Sequence, residues 1–100
     1  MRLSPHSQAI IQQAVALRWG DRAKVRLFGS RLNDAAKGGD IDLHVHVQGE
    51  VGNPIWEASL LAAQLQRQLD GRKVDVRLLA GAQAILPVDD IALSEGILLK

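Results

Sequence analysis

The segment from Asp40 to Val47 alternates strictly between polar and apolar residues, with the period of two that is typical of a β-strand with one buried face. Its apolar residues are Ile41, Leu43, Val45 and Val47, and its polar residues are Asp40, Asp42, His44 and His46. In such a strand Asp40 and Asp42 point to the same face, about 6–7 Å apart along the strand. Because aspartate is disfavoured in strands, this pair needs an explanation.

A third acidic residue, Asp75, lies between two valines in a later strand-like segment, residues 73–79. If Asp75 lies beside Asp40 and Asp42, each pair of carboxylates about 5 Å apart costs roughly 3 kcal/mol at an effective dielectric constant of about 20. Protons or bound cations would relieve that repulsion, and three carboxylates favour hard ions such as Mg²⁺ or Mn²⁺. The simpler alternative is that Asp40 caps the preceding turn and Asp42 faces solvent on an edge strand.

Gly29 and Ser30 follow a strand-like segment, residues 24–28, and begin a polar loop. A Gly-Ser pair at this place offers backbone N–H groups and a hydroxyl to phosphate oxygens, and glycine permits a close approach of the backbone. Arg31 and Lys37 add positive charge in the same loop. Most Gly-Ser pairs are ordinary turns, so the prediction of a phosphate site depends on the Asp-Ile-Asp strand that follows.

Composition excludes several classes of protein. The 100 residues are enough for one domain and too few for two, so we expect a single domain over residues 1–100. The absence of cysteine excludes disulfides, thiolate metal sites and a cysteine nucleophile. A net charge of +1 does not indicate direct binding to duplex DNA. No apolar run approaches the ~18 residues of a membrane span, so we expect a cytoplasmic protein without a membrane partner.

Periodicity and capping signals predict alternating helices and strands along the whole chain. The predicted elements are a helix from Pro5 that stops at Gly20, strands at 24–28, 40–47 and 73–79, a helix at 56–69, a short helical turn at 82–86, and a last helix from Val88 to Glu95. This order predicts an α/β (α+β) fold, in which helices pack on a small mixed β-sheet.

The motif Phe28-Gly29-Ser30, followed after nine residues by Asp40-Ile41-Asp42-Leu43, resembles the signature of the minimal nucleotidyltransferases (MNT), a family of the DNA polymerase β nucleotidyltransferase superfamily. Val74-Asp75-Val76 matches the third carboxylate of that superfamily, and the segment from Ile85 to Leu98 is similar to the end of the minimal enzymes. The resemblance implies a polymerase β-like nucleotidyltransferase fold over residues 24–100.

Two departures from the family pattern concern the loop. Gly39 precedes Asp40 where many members have serine, and the middle of the loop, residues 33–36, carries no arginine. They leave open which side chains besides Ser30 and Arg31 contact phosphate, and they do not affect the carboxylates.

The resemblance implies a metal-dependent transfer of a nucleoside monophosphate, AMP from ATP in the first instance, to a hydroxyl acceptor. Asp40, Asp42 and Asp75 are then the catalytic residues and the ligands of two Mg²⁺ ions, with Mn²⁺ as a substitute. Gly29, Ser30 and Arg31 are the nucleotide-binding residues. The resemblance extends to the MntA-like antitoxins of HEPN/MNT toxin–antitoxin pairs, which implies a helical HEPN-type partner as acceptor and a homo- or hetero-oligomer. The short chain lacks an evident acceptor domain, which agrees with that expectation.

Two other functions remain open from the sequence. One is a binding antitoxin that neutralises its partner by docking, with catalysis secondary or absent. The other is nucleotidyl transfer to a small molecule. The base of the nucleotide, the acceptor hydroxyl and the number of nucleotides transferred are not determined by these motifs.

Two pairs of polar residues have structural explanations as well. His44 and His46 continue the strand face of the aspartates, where a zinc site is an alternative, but solvated or acceptor-facing histidines are the simpler prediction. Asp89 and Asp90 are expected to serve the first turn of the last helix.

The tryptophans and one basic cluster are also predicted to be structural. Trp19 and Trp56 are expected in the core or at an interface, and not as stacking platforms for bases. Arg67, Arg72 and Lys73 lie near the end of the second predicted helix. Complementation of the helix dipole and ordinary solvation explain this cluster more simply than nucleic-acid binding does.

Overall fold

The computed structural model describes residues 3–29 and 40–100. These residues form three α-helices and four β-strands, numbered here in chain order. The elements are α1 (Pro5–Trp19), β1 (Ala23–Phe28), β2 (Ile41–Val47), α2 (Pro54–Gln68), β3 (Val74–Ala80), α3 (Pro87–Glu95) and β4 (Ile97–Leu98), with a 3₁₀ turn (Gly20–Arg22) between α1 and β1. The predicted order of the longer helices and strands is confirmed, the short helical turn at 82–86 excepted, and β4 is an addition to it.

The sheet has the strand order β3-β2-β1-β4. Strand β1 is antiparallel to both β2 and β4, whereas β2 and β3 run parallel. The parallel pair is connected through α2, as a parallel connection requires a crossover. The prediction of a small mixed sheet with helices packed on it is therefore confirmed.

Two helix starts show why the elements begin where they do. The side chain of Ser4 accepts a hydrogen bond from the backbone N–H of Ser7, and Pro5 occupies the first turn of α1. In the same way, Asn53 accepts from the backbone N–H of Trp56, so α2 starts at Pro54, two residues before the predicted position.

The helical turn predicted for residues 82–86 is wrong, because this segment is not helical. Its hydrogen bonds are those of a turn and of side chains, and not those of a helical ladder. The Gln83 backbone N–H donates to the Ala80 carbonyl at 3.1 Å, and the Gln83 side chain accepts from the Ala80 backbone N–H at 3.0 Å. Arg77 Nη2 donates to the Ala84 carbonyl at 3.3 Å. Gly81, with a φ of +56°, makes the turn that leads out of β3.

The core lies between one face of the sheet and helices α1 and α2. Its fully buried apolar side chains are Ile11, Val15, Val25, Leu27, Ile41, Leu43, Val45, Leu61 and Leu65. The register partners Val25–Val45 and Leu27–Leu43 place these residues of β1 and β2 on the same face of the sheet. The opposite, polar face contains Asp42, His44 and Asp75, and α3 covers part of it.

The two tryptophans differ in their surroundings. Trp19 is 9% exposed and belongs to the core, as predicted, whereas Trp56 at the start of α2 is 60% exposed. Trp56 is therefore not a core residue, which leaves the predicted interface role for it. Within residues 3–29 and 40–100, no helix combines the length and apolar character needed to cross a membrane.

Candidate functional site

Two of the predicted carboxylates lie side by side on the polar face of the sheet. Asp42 on β2 and Asp75 on β3 are register partners in the parallel pair. Asp40 directly precedes β2 and lies two residues before Asp42. Because side chains two residues apart project to the same side of an extended chain, all three carboxylates belong to one end of this face. The structure thus brings together the three acidic residues that the sequence selected.

The raised pKa of Asp42 indicates mutual repulsion within this cluster. Burial raises the pKa of the Asp42 carboxyl, and the neighbouring charges of Asp75 and Asp40 raise it further. Lys73 opposes these effects, and its Nζ lies 3.6 Å from Asp40 Oδ2. Lys73 was predicted to complement the helix dipole and to be solvated, but it lies beyond α2 and partly neutralises the acidic cluster.

Gly29 closes one side of the cluster. It follows Phe28, the register partner of Asp42, and has a φ of +76°. A Cβ atom built on Gly29 would overlap the Asp42 carboxylate, so the backbone and this side chain are in direct contact. The chain therefore leaves β1 in contact with the acidic cluster. Ser30, Arg31 and Lys37 lie outside the described residues, and their contacts with phosphate stay predictions.

Gly29→Ala is expected to destabilise the protein by about 1–3 kcal/mol and to reduce nucleotidyl transfer. The left-handed backbone is unfavourable for alanine, and the added Cβ displaces the Asp42 carboxylate. Thermal unfolding and the rate of pyrophosphate release measure the two effects. Gly71→Ala is the control, because Gly71 has the same φ of +76° but no atom within 4 Å of the Cβ position. Equal effects of both substitutions on the rate would contradict a specific contact between Gly29 and Asp42.

The oxygen donors of this cluster are of the kind that binds divalent cations. Its three carboxylates would be the donors, which is the donor set that Mg²⁺ and Mn²⁺ prefer. A cation would relieve the repulsion that, after burial, raises the pKa of Asp42. Among the described residues, however, no three acidic or histidine side chains converge in a geometry ready to hold a metal. The side chains of Asp40, Asp42 and Asp75 would therefore have to rotate toward a bound ion.

A second polar cluster lies beneath α3, on the same sheet face. Asp89 of α3 is fully buried and accepts hydrogen bonds from Arg77 Nε at 2.9 Å and Arg77 Nη2 at 2.8 Å. It also accepts from His44 Nε2 at 2.8 Å and from the backbone N–H of Leu86 at 2.7 Å. The His44–Asp89–Arg77 network thereby attaches α3 to both β2 and β3.

The charge states in this network follow from its contacts. The Arg77 guanidinium holds the pKa of the Asp89 carboxyl far below its usual range, so Asp89 is ionised and can only accept hydrogen bonds. Burial lowers the pKa of His44 despite the Asp89 contact, so the neutral ring carries its proton on Nε2. Nδ1 of His44 is buried and has no partner among the described residues, which agrees with an unprotonated nitrogen.

The prediction that His44 is solvated or faces the acceptor is wrong, because α3 covers it completely. Strand alternation gives the face of a residue but not which helix packs on that face. His46, two residues further, is exposed as predicted. Asp89 does lie in the first turn of α3, as predicted, and it carries the additional contacts to His44 and Arg77. In the sequence, these contacts of Asp89 were indicated only by the positions of His44 and Arg77 on the predicted polar faces of β2 and β3.

The network also supports the position of the acidic cluster. His44 and Arg77 are register partners, each two residues beyond the register partners Asp42 and Asp75. Because Asp89 bonds to both His44 and Arg77, it fixes the alignment of the two strands next to the carboxylates.

Comparison with known proteins agrees with these features. The family model of the nucleotidyltransferase domain matches residues 9–99. A chain in the crystal structure of the toxin-antitoxin MntA-HepT is similar in fold, with a TM-score of 0.65 and 20% sequence identity, over 97% of this chain and 72% of that chain. A comparison with curated proteins gives no match. The likeness to the solved structure confirms the predicted nucleotidyltransferase fold, and because the family model matches nearly the whole sequence, this chain belongs to the family of nucleotidyltransferase domains.

Proposed function

We propose that this protein transfers a nucleoside monophosphate, AMP from ATP, to a hydroxyl group of a helical HEPN-type partner toxin. The observation that carries the proposal is the pairing of Asp42 with Asp75 on adjacent parallel strands, next to Gly29 at the start of the loop. Membership of the nucleotidyltransferase family supports the reaction type. The choice of ATP and of a protein acceptor comes from the resemblance to minimal nucleotidyltransferases.

In the proposed reaction the acceptor oxygen forms a bond to the α-phosphorus of the nucleotide. The bond between that phosphorus and the oxygen bridging to the β-phosphate breaks, pyrophosphate leaves, and the hydroxyl proton passes to solvent. The backbone at Gly29, with Ser30 and Arg31 after it, would orient the leaving phosphates. No covalent enzyme intermediate is required.

Asp40, Asp42 and Asp75 would hold two Mg²⁺ ions in this reaction, with Mn²⁺ as a substitute. Mg²⁺ bound there would neutralise phosphate charge and lower the pKa of the acceptor hydroxyl. The three carboxylates would keep the triphosphate and the acceptor on the open end of the polar sheet face.

The toxin–antitoxin context is supported by the fold shared with the MntA-HepT structure and by the motif resemblance. In this proposal the protein is the antitoxin, and nucleotide transfer inactivates the partner. A second candidate is an antitoxin that acts by docking alone. The exposed apolar side chains Ile91 of α3 and Leu98 of β4 favour some protein contact and are compatible with either mechanism.

The test is to incubate the protein with ATP, Mg²⁺ and the product of the adjacent gene, and to measure the intact mass of that product. We expect the partner to gain one or more AMP groups and to lose its toxicity. If Asp42→Ala neutralises the toxin as well as the unmodified protein does, the docking candidate replaces the catalytic one. A partner with no added mass, in the presence of every nucleoside triphosphate, would contradict the proposed function.

A further inference from the structure

The layer formed by helices α1 and α2 carries little charge. The two helices pack on the sheet face opposite the acidic cluster, and each has 15 residues. Only Arg18, Glu57 and Arg67 among them are charged, with histidine neutral, whereas charged residues are 23% of the whole chain. Arg18 and Glu57 also neutralise each other, since Nη1 and Oε2 are 3.3 Å apart. Depletion of charge distinguishes the centre of a protein interface from ordinary surface.

Large apolar side chains project from this layer. Leu17 of α1 is 78% exposed, and Trp56 and Leu60 of α2 are 60% and 37% exposed. Trp56 and Leu60 are one turn apart, so they lie on the same side of α2. The three residues, here called the α1–α2 patch, expose on the order of 350 Å² of mostly apolar area. That is within the roughly 300–600 Å² of the largest apolar patch on a typical monomer, which often marks a binding surface.

A groove between the two helices adjoins the α1–α2 patch. Its volume is about 130 Å³, and its lining residues are Ile10, Gln13, Ala14, Leu17, Gln64 and Gln68. Leu17 belongs to both the groove and the patch, and Leu60 is one turn before Gln64 on α2. Because no lining residue is charged, an apolar side chain can enter the groove without removing a charge from water.

We propose that a second copy of this chain binds the α1–α2 patch and forms a two-fold symmetric dimer. Each copy would direct its Trp56 toward the groove of the other. The proposal goes beyond the proposed function and does not depend on it, because the acidic cluster is not part of this interface.

The spacing of residues along α2 agrees with two-fold symmetry. Trp56 lies one turn before Leu60, and Gln64 lies one turn after it. A two-fold axis near Leu60 would make the two α2 helices antiparallel and bring Trp56 of each copy to the level of Gln64 in the other. In such an interface the same surface serves both partners, so a surface of low charge meets a surface of low charge. Arg67, near the end of α2, would lie at the hydrated rim.

The protein that accepts the nucleotide is a less suitable occupant of this surface. The sheet separates the helical layer from the polar face that carries Asp42 and Asp75. A hydroxyl group held against α1 and α2 would therefore not reach the acidic cluster. The exposed apolar residues Ile91 of α3 and Leu98 of β4 lie outside the helical layer, so they remain accessible to an acceptor in the dimer.

The exposed area is sufficient for a weak dimer. A standard interface buries about 800 Å² per partner, of which roughly 450–500 Å² is apolar. The α1–α2 patch supplies most of that apolar area, and the partly buried Ile10 in the groove adds to it. An interface of this size without additional ion pairs is expected to have a dissociation constant of about 1–100 µM.

Sedimentation equilibrium of the protein without nucleotide tests the dimer. At high protein concentration we expect a mass of about 22 kDa, twice the 10.9 kDa of one chain, and a decrease toward 10.9 kDa on dilution. A mixture of isotope-labelled and unlabelled chains should give intermolecular NOEs to the methyl groups of Leu17 and Leu60. This second measurement uses the unmodified chain, so it does not depend on the folding of a variant.

Matched lysine substitutions locate the interface. Leu17→Lys and Trp56→Lys are each expected to weaken the dimer at least about 10-fold, because the interface would remove the new charge from water. Both positions are exposed, so folding should be little affected. Ile55→Lys is the control and is expected to change the affinity less than about twofold. Ile55 is 78% exposed, as Leu17 is, and precedes Trp56, but it lines a different cavity between α2 and β3.

Three results would overturn the proposal. The first is a monomer at millimolar concentration, and the second is an equal loss of affinity in Ile55→Lys and Leu17→Lys. The third is a protein that is monomeric alone but binds the product of the adjacent gene through Leu17 and Trp56, which would assign the surface to that partner. Because dimerisation is measured without nucleotide, failure of the dimer and failure of the proposed function are separate outcomes.

Discussion

Asp42→Asn is expected to reduce nucleotidyl transfer by about 10²–10³-fold, the loss typical for removing one charge-stabilising group from a transition state. Asparagine has nearly the same shape as aspartate but lacks its charge. Asp42 is two residues from Asp40 in the chain and is the register partner of Asp75 on the next strand. Its loss therefore affects every arrangement of metal ions that the three carboxylates permit. The rate of pyrophosphate release with ATP, Mg²⁺ and the partner measures the effect.

The same substitution is expected to stabilise the fold at neutral pH. The pKa of Asp42 is raised in the folded state, so the fold disfavours its ionised form, and the penalty is present above the folded pKa. Asparagine removes the repulsion by Asp75 and Asp40. The gain is small because solvent screens these charges, and it disappears below about pH 4, where aspartate is protonated in both states.

Asp21→Asn is the control for this variant, because Asp21 is an exposed acid in the 3₁₀ turn. It removes one negative charge without touching the cluster and should leave transfer unchanged. Unimpaired transfer by Asp42→Asn would remove the carboxylate from the mechanism. A less stable Asp42→Asn protein at neutral pH would show that the carboxylates are not in mutual repulsion.

Asp89→Ala is expected to destabilise the protein by about 3 kcal/mol, the cost of removing one partner from a buried ion pair. Arg77, which is 20% exposed, would lose two hydrogen bonds, and His44, which is fully buried, would lose its one partner. For a domain of this size the melting temperature should fall by roughly 12–24 °C. Thermal unfolding followed by circular dichroism measures it.

Asp90→Ala is the matched control, since Asp90 is the exposed neighbour of Asp89 in the same first turn of α3. A change of at most about 0.5 kcal/mol is expected there. Equal effects of the two substitutions would mean that the charge in the helix turn, and not the His44–Asp89–Arg77 network, supports α3.

The pH dependence gives a further check on Asp89. Its pKa is lowered in the folded state, so its contribution to stability is complete above its ordinary pKa of about 4 and is lost as the pH falls through the folded pKa. The unmodified protein should therefore lose stability in acid faster than Asp89→Ala does, and the two should converge. A constant difference in stability between them down to strongly acidic pH would contradict an ionised Asp89.

The acidic cluster was predictable because the residues next to each aspartate in the chain indicate the strand face on which that aspartate lies. The period of two in β2 gives the face of Asp42, and the valines around Asp75 give a second strand with the same phase. The parallel connection through α2 then brings the two strands together. Helix α1 was predictable for a similar reason, because Ser4, Pro5 and Gly20 mark its two ends directly.

The His44–Asp89–Arg77 network was not predictable in this way. Asp89 lies 45 residues from His44 in the chain, and no periodicity indicates that α3 packs on that part of the sheet. Strand β4 was missed because its two residues are too few to show alternation. The contact of Lys73 with Asp40 was also missed, because it follows from the register of β2 and β3. From the sequence, Lys73 was predicted to complement the dipole at the end of α2.

Two labelled forms of ATP, one at the α-phosphorus and one at the γ-phosphorus, distinguish nucleotidyl transfer from phosphoryl transfer in reactions with Mg²⁺ and the partner. Nucleotidyl transfer predicts that the partner retains the α-label and that the γ-label is released as pyrophosphate. Asp42→Asn should lower the rates of both signals by about 10²–10³-fold. Transfer of the γ-label to the partner, or labelling by the Asp42→Asn protein at an undiminished rate, would contradict nucleotidyl transfer by the acidic cluster.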